Sequence, residues 1–294
     1  MRPEVLHNVP LSRRSTIGLG GTALAQVLLR AEEELHAVGE ILAELGGRPF
    51  VLGAGSNILF DDGELGIVLL TPQFAGTPEM IGQDETHAVV RVGAGVKLQR
   101  LLNWLASEGL AGLEGLRGIP GSVGGAVAMN AGSWGASFCE RLEAISLWIP
   151  EQGTVRLERG QWEHGYRHFL PEGGPELFIV THAELRMDRG ESKSIRSAMS
   201  DFFKRKKNVQ PVSSATAGCV FKNPDGDSAG RLLDEVGFRG IGLGGMAFSE
   251  KHANFLVNLG GGRLSEALEL IRLGKQAVKQ RFDHELQLEV KVVA

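Results

Sequence analysis

Residues 115–135 read GLRGIPGSVGGAVAMNAGSWG and form the richer of the glycine clusters in the chain. Glycine recurs every few positions with small side chains between, which lets the backbone approach a ligand closely. Backbone N–H groups beside a helix start suit an anionic group such as a pyrophosphate. A purely structural glycine loop is the alternative. We favour phosphate binding because the small residues continue as far as Asn130 and leave little bulk to block a ligand.

Two shorter glycine turns, GAG at 53–55 and GAG at 93–95, each follow a predicted strand. A dinucleotide-binding fingerprint belongs at such a place, but it needs a third glycine three residues further on. Those positions hold Ile58 and Leu98, so the Rossmann interpretation fails at both turns. Tight structural turns stay open as an explanation. At the first turn a different phosphate cradle, with the following serine and asparagine as donors, is also open.

Other catalytic and metal motifs are missing from the sequence. It contains no GxxxxGK[ST] loop, and PGSVGG at 120–125 lacks the glycine that a nucleophile elbow places two residues before its serine. His164 and His168 have the four-residue spacing of a helical zinc pair. Gly165 between them argues against a helix, and no third ligand is near. We therefore expect no metal site.

The composition is that of an ordinary soluble globular protein, with 43% apolar and 22% charged residues in a chain of 294. This length predicts one large domain or two moderate ones. The 41 glycines are about twice the usual frequency. A net charge of −4 gives no general attraction to nucleic acid or to an anionic membrane. Without an apolar run that could serve as a signal peptide or membrane span, the cytoplasm is the expected location.

Hydrophobic periodicity predicts a mixture of helices and strands. Apolar residues at 35–45 have helical spacing, and two glycines follow them. A last helix is predicted with Ser265 as its N-cap, and the alternating LQLEVKVV at 286–293 predicts a final strand. The polar and charged run at 188–192 is a plausible domain boundary.

Cys219, within TAGCVFKNP at 216–224, is one of only two cysteines, and Cys139 lies 80 positions away. A reducing compartment disfavours a disulfide between them. A zinc site would need thiol or imidazole neighbours at short spacing, which this segment does not offer. Packing and proton chemistry remain as roles for the thiol, and composition alone favours packing.

Three further polar sites are ambiguous on pattern alone. Tyr166 is the only tyrosine, and Arg167 beside it could steady an oxyanion or a carboxylate with its planar guanidinium. A surface arginine fits equally well. KRKK at 204–207 is typical of a solvated helix end, from which one lysine could reach a phosphate. Glu289 is expected to be the exposed member of an alternating strand.

Taken together, seven stretches resemble one family, the UDP-N-acetylenolpyruvoylglucosamine reductases, which are flavoenzymes of bacterial cell-wall synthesis. The resemblance runs nearly end to end, and the motifs occur in the family's order. The stretches are STIGLGG (15–21), VLGAGSNILF (51–60), GIPGSVGGAVAMNAGSWG (118–135), GYRHF (165–169), TAGCVFKNP (216–224), SEKHANFLVN (249–258) and LEV (288–290).

The resemblance implies an α+β fold with an FAD-binding domain of the vanillyl-alcohol-oxidase type, made of two α+β subdomains, and a smaller α+β substrate-binding domain. We place the FAD-binding domain at 1–188, with its subdomains split near 75–85, and the substrate-binding domain at 189–294. The last strand would contribute Glu289 to the active site. The residues implied to bind FAD are Gly53, Ala54, Gly55, Ser56, Asn57, Gly118, Ile119, Pro120, Gly121, Ser122, Gly125 and Asn130.

The resemblance also implies a reaction with two halves, which serves peptidoglycan synthesis and hence cell-wall biogenesis, cell shape and cell division. NADPH reduces FAD, and the flavin then delivers hydride to C3 of the enolpyruvyl group of UDP-N-acetylglucosamine enolpyruvate. A protein acid protonates C2 to give UDP-N-acetylmuramate. Such a site needs a cation or donor for the developing charge and a positioned proton source. NADPH and the nucleotide sugar are the expected partners of a monomer that binds neither nucleic acid nor membrane.

Roles are implied residue by residue where the motifs match. Arg167 would stabilise the enolate-like intermediate. Glu289 matches the family's near-terminal glutamate, although LEVK stands here for the family's PEVR-like segment. Cys219 occupies the position of the proton-donating serine, and a thiol with a reference pKa of about 8.5 is mostly protonated at neutral pH. The implied substrate contacts are Tyr166, Asn223 and Lys207, with Lys206 nearly as good by spacing.

Some family members carry a tyrosine-bearing insertion that closes over the substrate. The absence of a tyrosine after Tyr166 indicates the shorter class without that lid. Two rivals remain. Another flavin oxidoreductase with a different substrate is disfavoured by the joint match of Arg167, Asn223 and Glu289. A non-catalytic flavin or nucleotide-sugar binding protein is supported only by the serine-to-cysteine departure.

Overall fold

The computed structural model describes all residues from 1 to 294. The α-helices are α1 (Val38–Leu45), α2 (Leu98–Ser107), α3 (Val123–Ala128), α4 (Ser192–Val209), α5 (Ala229–Glu235) and α6 (Leu264–Phe282). The strands are β1 (Glu4–Pro10), β2 (Thr22–Leu29), β3 (Arg48–Val51), β4 (Ile58–Phe60), β5 (Glu64–Pro72), β6 (Glu79–Gln83), β7 (His87–Gly93), β8 (Leu110–Ala111), β9 (Gly132–Ser133), β10 (Ala136–Ser137), β11 (Leu142–Ile149), β12 (Gly153–Glu158), β13 (Trp162–Gly165), β14 (His168–Pro171), β15 (Ile179–Arg189), β16 (Thr216–Cys219), β17 (Gly242–Leu243), β18 (Met246–Phe248), β19 (Phe255–Asn258) and β20 (Lys291–Val293).

The chain forms two compact units, and each is made of separate stretches of sequence. The first unit comprises Met1–His7, Leu24–Gly53 and Gly66–Lys204. The second unit comprises Asn8–Ala23, Ala54–Leu65 and Arg205–Ala294.

The first unit is built mainly on two sheets. Four strands pair in the order β1-β2-β5-β3, and β3 runs parallel to β5. A six-stranded sheet has the order β12-β11-β15-β7-β6, with β8 also paired to β15, and these pairs are antiparallel. One hydrophobic core contains buried side chains from both sheets and from α2. The last strand of the first sheet ends at Pro72, and the second sheet begins at Glu79.

The second unit has a smaller antiparallel sheet in the order β16-β19-β18-β17 and a parallel pair of β4 with β20. Helices α5 and α6 pack together, and α6 also packs on β17 and β18. Apolar side chains from the early segments, including Ile17 and Leu59, complete the core around α6. The unit therefore uses chain segments that are remote in sequence.

The predicted assignment of 1–188 to flavin binding and 189–294 to substrate binding stays a prediction, because the units are defined by packing alone. Packing divides the chain after Lys204, within α4, since the earlier turns of that helix bury Ile195 and Met199 in the first core. No helix combines the length and the apolar character needed to cross a membrane.

Local sequence signals account for several element ends. The predicted helix at 35–45 forms as a 3-10 turn followed by α1. Gly46 ends α1 with a left-handed φ of 67°, and its N–H donates to the carbonyl of Leu42 at 2.9 Å. A left-handed glycine is a common helix end because it carries no Cβ. The predicted stop is confirmed at this position.

The predicted N-cap of the last helix is wrong. Helix α6 begins at Leu264, and Ser265 lies inside its first turn. The Glu266 carboxylate accepts from the N–H of Arg263 at 3.0 Å, and the Asp62 carboxylate accepts from the N–H of Leu264 at 3.0 Å. Two carboxylates thus satisfy the first donors of the helix, one of them from far away in sequence.

The predicted final strand is shorter than the alternating pattern. Strand β20 covers Lys291–Val293, and Glu289 lies before it, next to an isolated bridge between Phe221 and Leu288. The N–H groups of Glu289 and Val290 both donate to the Val220 carbonyl, at 2.8 and 3.3 Å. Two donors on one acceptor interrupt a regular ladder, so the prediction that Glu289 belongs to the last strand is wrong.

Candidate functional site

Gly53, which begins one predicted FAD loop, lies next to the other predicted FAD loop in the first unit. A Cβ added at Gly53 would lie 2.8 Å from Ser122 Oγ and 3.7 Å from Gly125 Cα. Any larger residue at position 53 would therefore push the two loops apart. Segments about 70 positions apart in sequence meet here because glycine leaves the backbone bare.

The second of these loops is held by one side chain of α2. Gln99 Oε1 accepts from the N–H of Gly118 at 3.1 Å, while Gln99 Nε2 donates to the carbonyl of Ile119 at 2.8 Å. The first N–H of α2, from Leu98, donates to the carbonyl of Gly121 at 2.9 Å. Gly118 has a left-handed φ of 87°. The loop is therefore fixed from one side by α2.

The start of α3 differs from the expectation that its amides face an anion. Ser122 is the N-cap, and its hydroxyl accepts from the N–H of Gly125 at 3.3 Å. The N–H groups of Val123 and Gly124 donate to the carbonyls of Val96 and Ala94, both at 2.9 Å. These three amides are used by the protein itself, so anion binding has to rely on the loop before the helix.

The rest of the first FAD loop, 54–57, belongs to the second unit. Gly55 has a left-handed φ of 65°, and a Cβ there would lie 1.9 Å from the carbonyl oxygen of Arg14. The Gly55 carbonyl accepts from the N–H of Thr16 at 3.0 Å. Asn57 Nδ2 donates to the carbonyl of Glu289 at 3.1 Å. A residue predicted to bind FAD is thus bonded to the backbone of one predicted to be catalytic.

These loops fit a flavin nucleotide. At Gly53 and Gly55 a side chain would collide with neighbouring backbone or hydroxyl groups, as expected where a bare backbone forms the wall of a site. At Gly121 the space that a Cβ would take is open for 4 Å. The Ser122 hydroxyl in the first unit and, separately, the Ser56 hydroxyl in the second are neutral donors of the kind that suits a pyrophosphate.

Arg167 occupies the two-residue turn between β13 and β14, in which Gly165 pairs with His168. Its φ of 56° is left-handed, which is uncommon for a residue with a long side chain. The guanidinium lies 5.1 Å from the ring centroid of Tyr166, and its Nη1 donates to the carbonyl of Gly132 at 3.1 Å. Strain of this kind is typical of functional sites. The hairpin also explains the spacing of His164 and His168, which do not form a helical metal pair.

Asn130 ties this turn to its surroundings. Its Nδ2 donates to the carbonyl of Gly165 at 2.9 Å, and its Oδ1 accepts from the Ser137 hydroxyl and from the N–H of Cys139, both at 2.9 Å. The residue is buried, and its φ of 37° is left-handed. Its predicted role in FAD binding stays a prediction, but its carboxamide binds the protein's own segments.

Trp134 is at the tip of the β9–β10 hairpin, between Ser133 and Ala136, which pair with each other. Its φ of 52° is left-handed, and 45% of its surface is exposed. The ring centroid lies 6.3 Å from that of Phe202. The sequence analysis did not predict this exposed tryptophan, which lies two residues after Gly132, whose carbonyl accepts from Arg167.

Cys219 ends β16 and is half-buried, not fully buried as packing alone would predict. The preceding Gly218 has a left-handed φ of 80°, and its N–H donates to the Thr216 hydroxyl at 3.3 Å. The Thr216 carbonyl accepts from the Thr16 hydroxyl at 2.6 Å. Both cysteines are free thiols, and burial raises the pKa of Cys139 to about 12.

Asn223 and Glu289 lie on either side of the segment that follows Cys219. Asn223 is exposed, and its Oδ1 accepts from the N–H of Ala229 at the start of α5, at 3.1 Å. Glu289 is half-buried, whereas Leu288 beside it is 37% exposed. The alternation expected from the sequence is therefore reversed at this point, and the glutamate is drawn inward.

The structure separates the two candidate lysines. Lys206 is 1% exposed, and burial lowers the pKa of its ammonium to about 8. Lys207 is exposed, and its carbonyl accepts from Lys251 Nζ at 3.3 Å. Burial therefore distinguishes Lys206 from Lys207, and which of the two contacts substrate stays a prediction.

The predicted catalytic residues are divided between the units. Arg167 and Tyr166 belong to the first unit, whereas Cys219, Asn223 and Glu289 belong to the second. Within the second unit the structure brings Glu289 next to the Cys219 segment, through the bond from its N–H to the Val220 carbonyl at 2.8 Å. Within the first unit it gathers Asn130, Gly132 and Arg167 through hydrogen bonds.

Sequence reasoning missed Gln99 and Asn254, but it named Lys206 as the alternative to Lys207. Lys206 lies at helical spacing on the same face of α4 as the buried Ile195 and Met199. Gln99 and Asn254 give no local signal, since each acts on a loop far away in sequence.

Comparison with known proteins identifies the family. A family model described as UDP-N-acetylenolpyruvoylglucosamine reductase, C-terminal domain, matches residues 210–293, and one described as FAD binding domain matches residues 23–157. The UDP-N-acetylenolpyruvoylglucosamine reductase of Nitratidesulfovibrio vulgaris is 49% identical over 292 residues and covers 99% of both chains. That of Bacillus licheniformis is 35% identical over 292 residues, which are 99% of this chain and 94% of the relative.

A solved structure is also similar over the full length. The crystal structure of UDP-N-acetylenolpyruvylglucosamine reductase from Thermus caldophilus superimposes with a TM-score of 0.81, at 34% identity and 100% coverage of both chains. These matches confirm the predicted FAD cofactor, the predicted oxidoreductase class, and the α+β fold with an FAD-binding domain and a smaller C-terminal domain. The chain belongs to the UDP-N-acetylenolpyruvoylglucosamine reductase family.

Proposed function

We propose that this chain reduces UDP-N-acetylglucosamine enolpyruvate to UDP-N-acetylmuramate with NADPH and FAD, as a step of peptidoglycan precursor synthesis. The observation that carries the proposal is the full-length match to reductases of this name, at 49% identity in sequence and a TM-score of 0.81 in structure. We further propose that it works in the cytoplasm as a monomer, without nucleic acid or membrane partners.

The glycine loops would hold the cofactor. Residues 121 and 122, in the loop of the first unit that Gln99 fixes, and residues 54–57 of the second unit would contribute backbone amides and serine hydroxyls to FAD binding. When bound, FAD supplies the redox chemistry, accepting hydride from NADPH and passing it to C3 of the enolpyruvyl group. The remaining tasks fall to side chains of this chain, which have to bind the nucleotide sugar, stabilise charge and deliver a proton.

Arg167 is suited to stabilise the charge that develops on the substrate carboxylate. Its guanidinium is held by the Gly132 carbonyl and by Tyr166, so that little reorganisation is needed during the reaction. Arginine can also meet a carboxylate with two parallel N–H groups. The exposed ring of Trp134 on the neighbouring hairpin is available to shield this charge from water, in place of the tyrosine lid that the sequence is predicted to lack.

Cys219 is suited to protonate C2. The thiol is half-buried at the end of β16, where a substrate can reach it, and its segment is bonded to that of Glu289. We assign Glu289 to the same proton-transfer step. Lys206 and Asn223 would contact the diphosphate and sugar, with Lys206 preferred over Lys207 because of its burial.

Anaerobic flavin spectroscopy tests the proposal directly. Purified protein should be yellow, lose its visible absorbance with NADPH, and regain it when UDP-N-acetylglucosamine enolpyruvate is added without oxygen. A colourless protein that binds no added FAD would contradict the flavoenzyme assignment. Bleaching without recovery would favour an oxidoreductase that acts on a different substrate.

A further inference from the structure

Asn254, which directly precedes β19, makes an unusual pair of bonds. Its side-chain Nδ2 donates to the carbonyl of Phe221 at 2.8 Å, and its Oδ1 accepts from the N–H of the same residue at 2.9 Å. Asn254 is 1% exposed and Phe221 is fully buried. A carboxamide carries the same donor and acceptor as a peptide group. The side chain therefore pairs with Phe221 as a neighbouring strand would.

This pairing continues the ladder between β16 and β19 beyond the last residue of β16. Strands β16 and β19 pair at Thr216 with Val257 and at Cys219 with Phe255, with an irregularity between. The N–H of Val220 then donates to the main-chain carbonyl of Asn254 at 2.8 Å. The Asn254 side chain adds the next two bonds, so the chain stays paired beyond the end of β16 although it bends at Val220.

The opposite edge of the same segment carries the end of the chain. The Val220 carbonyl accepts from the N–H of Glu289 at 2.8 Å, and the N–H of Lys222 donates to the carbonyl of Gln287 at 2.8 Å. Residues 220–222 are thus hydrogen-bonded to Asn254 along one edge and to residues 287–289 along the other. The proposed proton donor is at the start of this segment, Asn223 follows its end, and Glu289 lies along its edge.

We infer that Asn254 is a positioning residue for proton transfer, which aligns the Cys219 thiol and the Glu289 carboxylate by holding residues 220–222 between them. The inference rests on the proposed function for its catalytic consequence. Neither alanine nor an ionised aspartate can replace the carboxamide. Alanine leaves the buried N–H and carbonyl of Phe221 without partners, and an ionised aspartate turns a second acceptor toward that carbonyl.

Asn258, the last residue of β19, offers a matched control. Its Nδ2 donates to the carbonyl of Ile17 at 3.0 Å, and its Oδ1 accepts from the N–H groups of Gly260 and Gly262 at 3.0 and 3.1 Å. Asn258→Ala therefore removes a similar set of side-chain-to-backbone bonds without touching residues 220–222. The holoenzymes of Asn254→Ala, Asn254→Asp and Asn258→Ala should be compared with the wild type.

Stopped-flow flavin absorbance separates the two half-reactions. Asn254→Ala is expected to slow reoxidation by the enolpyruvyl substrate roughly 100-fold, as small misplacements of reacting groups do. Its reduction by NADPH should stay within about 3-fold of the wild type, because hydride transfer to the flavin needs no proton from Cys219. Equal losses in both half-reactions, or equal losses in Asn258→Ala, would reduce Asn254 to a purely structural role.

Asn254→Asp keeps the test decisive if the alanine variant fails to fold. A protonated carboxyl again has one donor and one acceptor, so its reoxidation rate relative to the wild type should rise as the pH falls from 8 toward 5.5. A neighbouring titratable group is His252, whose ring nitrogen accepts from the Asn254 N–H at 3.2 Å and whose pKa is lowered by burial. A ratio that does not change with pH would overturn the inference.

Thiol reactivity tests the positioning without the reaction. Cys139 is buried, so an alkylating reagent such as iodoacetamide reports Cys219. Alkylation should be roughly 10-fold faster in Asn254→Ala than in Asn258→Ala if the segment is released. Unchanged alkylation would contradict the positioning role even in a protein that reduces the expected substrate. If alkylation is faster but the protein does not reduce the substrate, the proposed function is contradicted and the positioning role is retained.

Discussion

Asn130 in the first unit and Asn254 in the second each hold a segment that carries a proposed catalytic side chain, but they do so differently. Asn130 has a left-handed backbone and distributes three bonds among Gly165, Ser137 and Cys139. Asn254 directs both polar atoms of its side chain to Phe221. The first residue cross-links irregular loops, whereas the second continues a sheet.

The difference follows from the segments that are held. Arg167 is in a strained hairpin turn, where no ladder can reach it, so a branched set of bonds is needed. Cys219 ends a strand, where one more pair of ladder bonds is enough. Loss of Asn130 should therefore loosen a local conformation, and loss of Asn254 should shorten a sheet.

The largest expected effect is at the thiol itself. Cys219→Ala should slow reoxidation of the reduced enzyme by substrate about 10²–10⁴-fold, which is the usual contribution of a positioned acid. Cys219→Ser should keep most of the rate, and its activity should decline less at alkaline pH, because a hydroxyl holds its proton more tightly than a thiol. Stopped-flow reoxidation rates between pH 6 and 9 measure both effects. Full turnover in the alanine variant would exclude the thiol as the donor.

The next largest effect on the reoxidation rate is expected at Arg167. Arg167→Ala is expected to lower the reoxidation rate about 10²–10³-fold, as the loss of one charge-stabilising donor does elsewhere. Arg167→Lys should recover only part of the loss, because an ammonium cannot bond Gly132 and the substrate with the same planar geometry. His168→Ala is the control, since His168 is exposed and follows the same turn. A reoxidation rate within about 3-fold of the wild type in Arg167→Ala would show that the turn serves structure alone.

Asn130 variants test the first half of the comparison. Asn130→Asp keeps the two acceptor bonds and loses the donor to Gly165, whereas Asn130→Ala loses all three. We expect thermal stability to decrease from wild type to aspartate to alanine, with a loss of about 2–4 kcal/mol for alanine. Asn8→Ala controls for the backbone, because Asn8 is exposed and has a left-handed φ of 51°. Equal destabilisation of Asn8→Ala and Asn130→Ala would assign the whole effect to backbone strain.

The smallest effect concerns Lys206 and depends on pH. Because burial lowers its pKa to about 8, the ammonium is lost as the pH rises through 8, and the KM for the nucleotide sugar should rise there. Lys206→Met should raise this KM about 10-fold at pH 7 and remove its pH dependence. If Lys207 holds the substrate instead, the effects of Lys206→Met and Lys207→Met on KM will be reversed.

At Lys206, a rise in pH is expected to weaken substrate binding but to increase folding stability. Its folded pKa of about 8 lies below the ordinary value of 10.5, so the unfolded chain binds more protons between these pH values. Wild-type stability should therefore gain from Lys206 as the pH rises from 8 to 10.5, and Lys206→Met should lack this gain. Chemical denaturation at several pH values provides the measurement.

Motifs in the sequence were enough to predict the family, the fold class and the cofactor. These motifs are rich in glycine and turn residues, whose backbone conformation depends mainly on the neighbouring residues in the sequence. Position-specific geometry was not predictable to the same degree. The cap of α6 uses Asp62, which is remote in sequence. The final strand begins only at Lys291, because the N–H groups of Glu289 and Val290 before it share the Val220 carbonyl. The positions of Lys206 and Lys207 follow from which face of α4 is buried, a tertiary property that the apolar stripe records only indirectly.

The second unit is assembled from three separate stretches of chain, and this limits how the protein can be divided. A fragment covering residues 210–293 would contain β20 but not its partner β4, and it would lack Thr16 and Asn57. Recombination between relatives at this boundary would join a strand from one parent to a partner from the other. Exchange of the C-terminal region is therefore expected to succeed only when residues 8–23 and 54–65 come from the same parent.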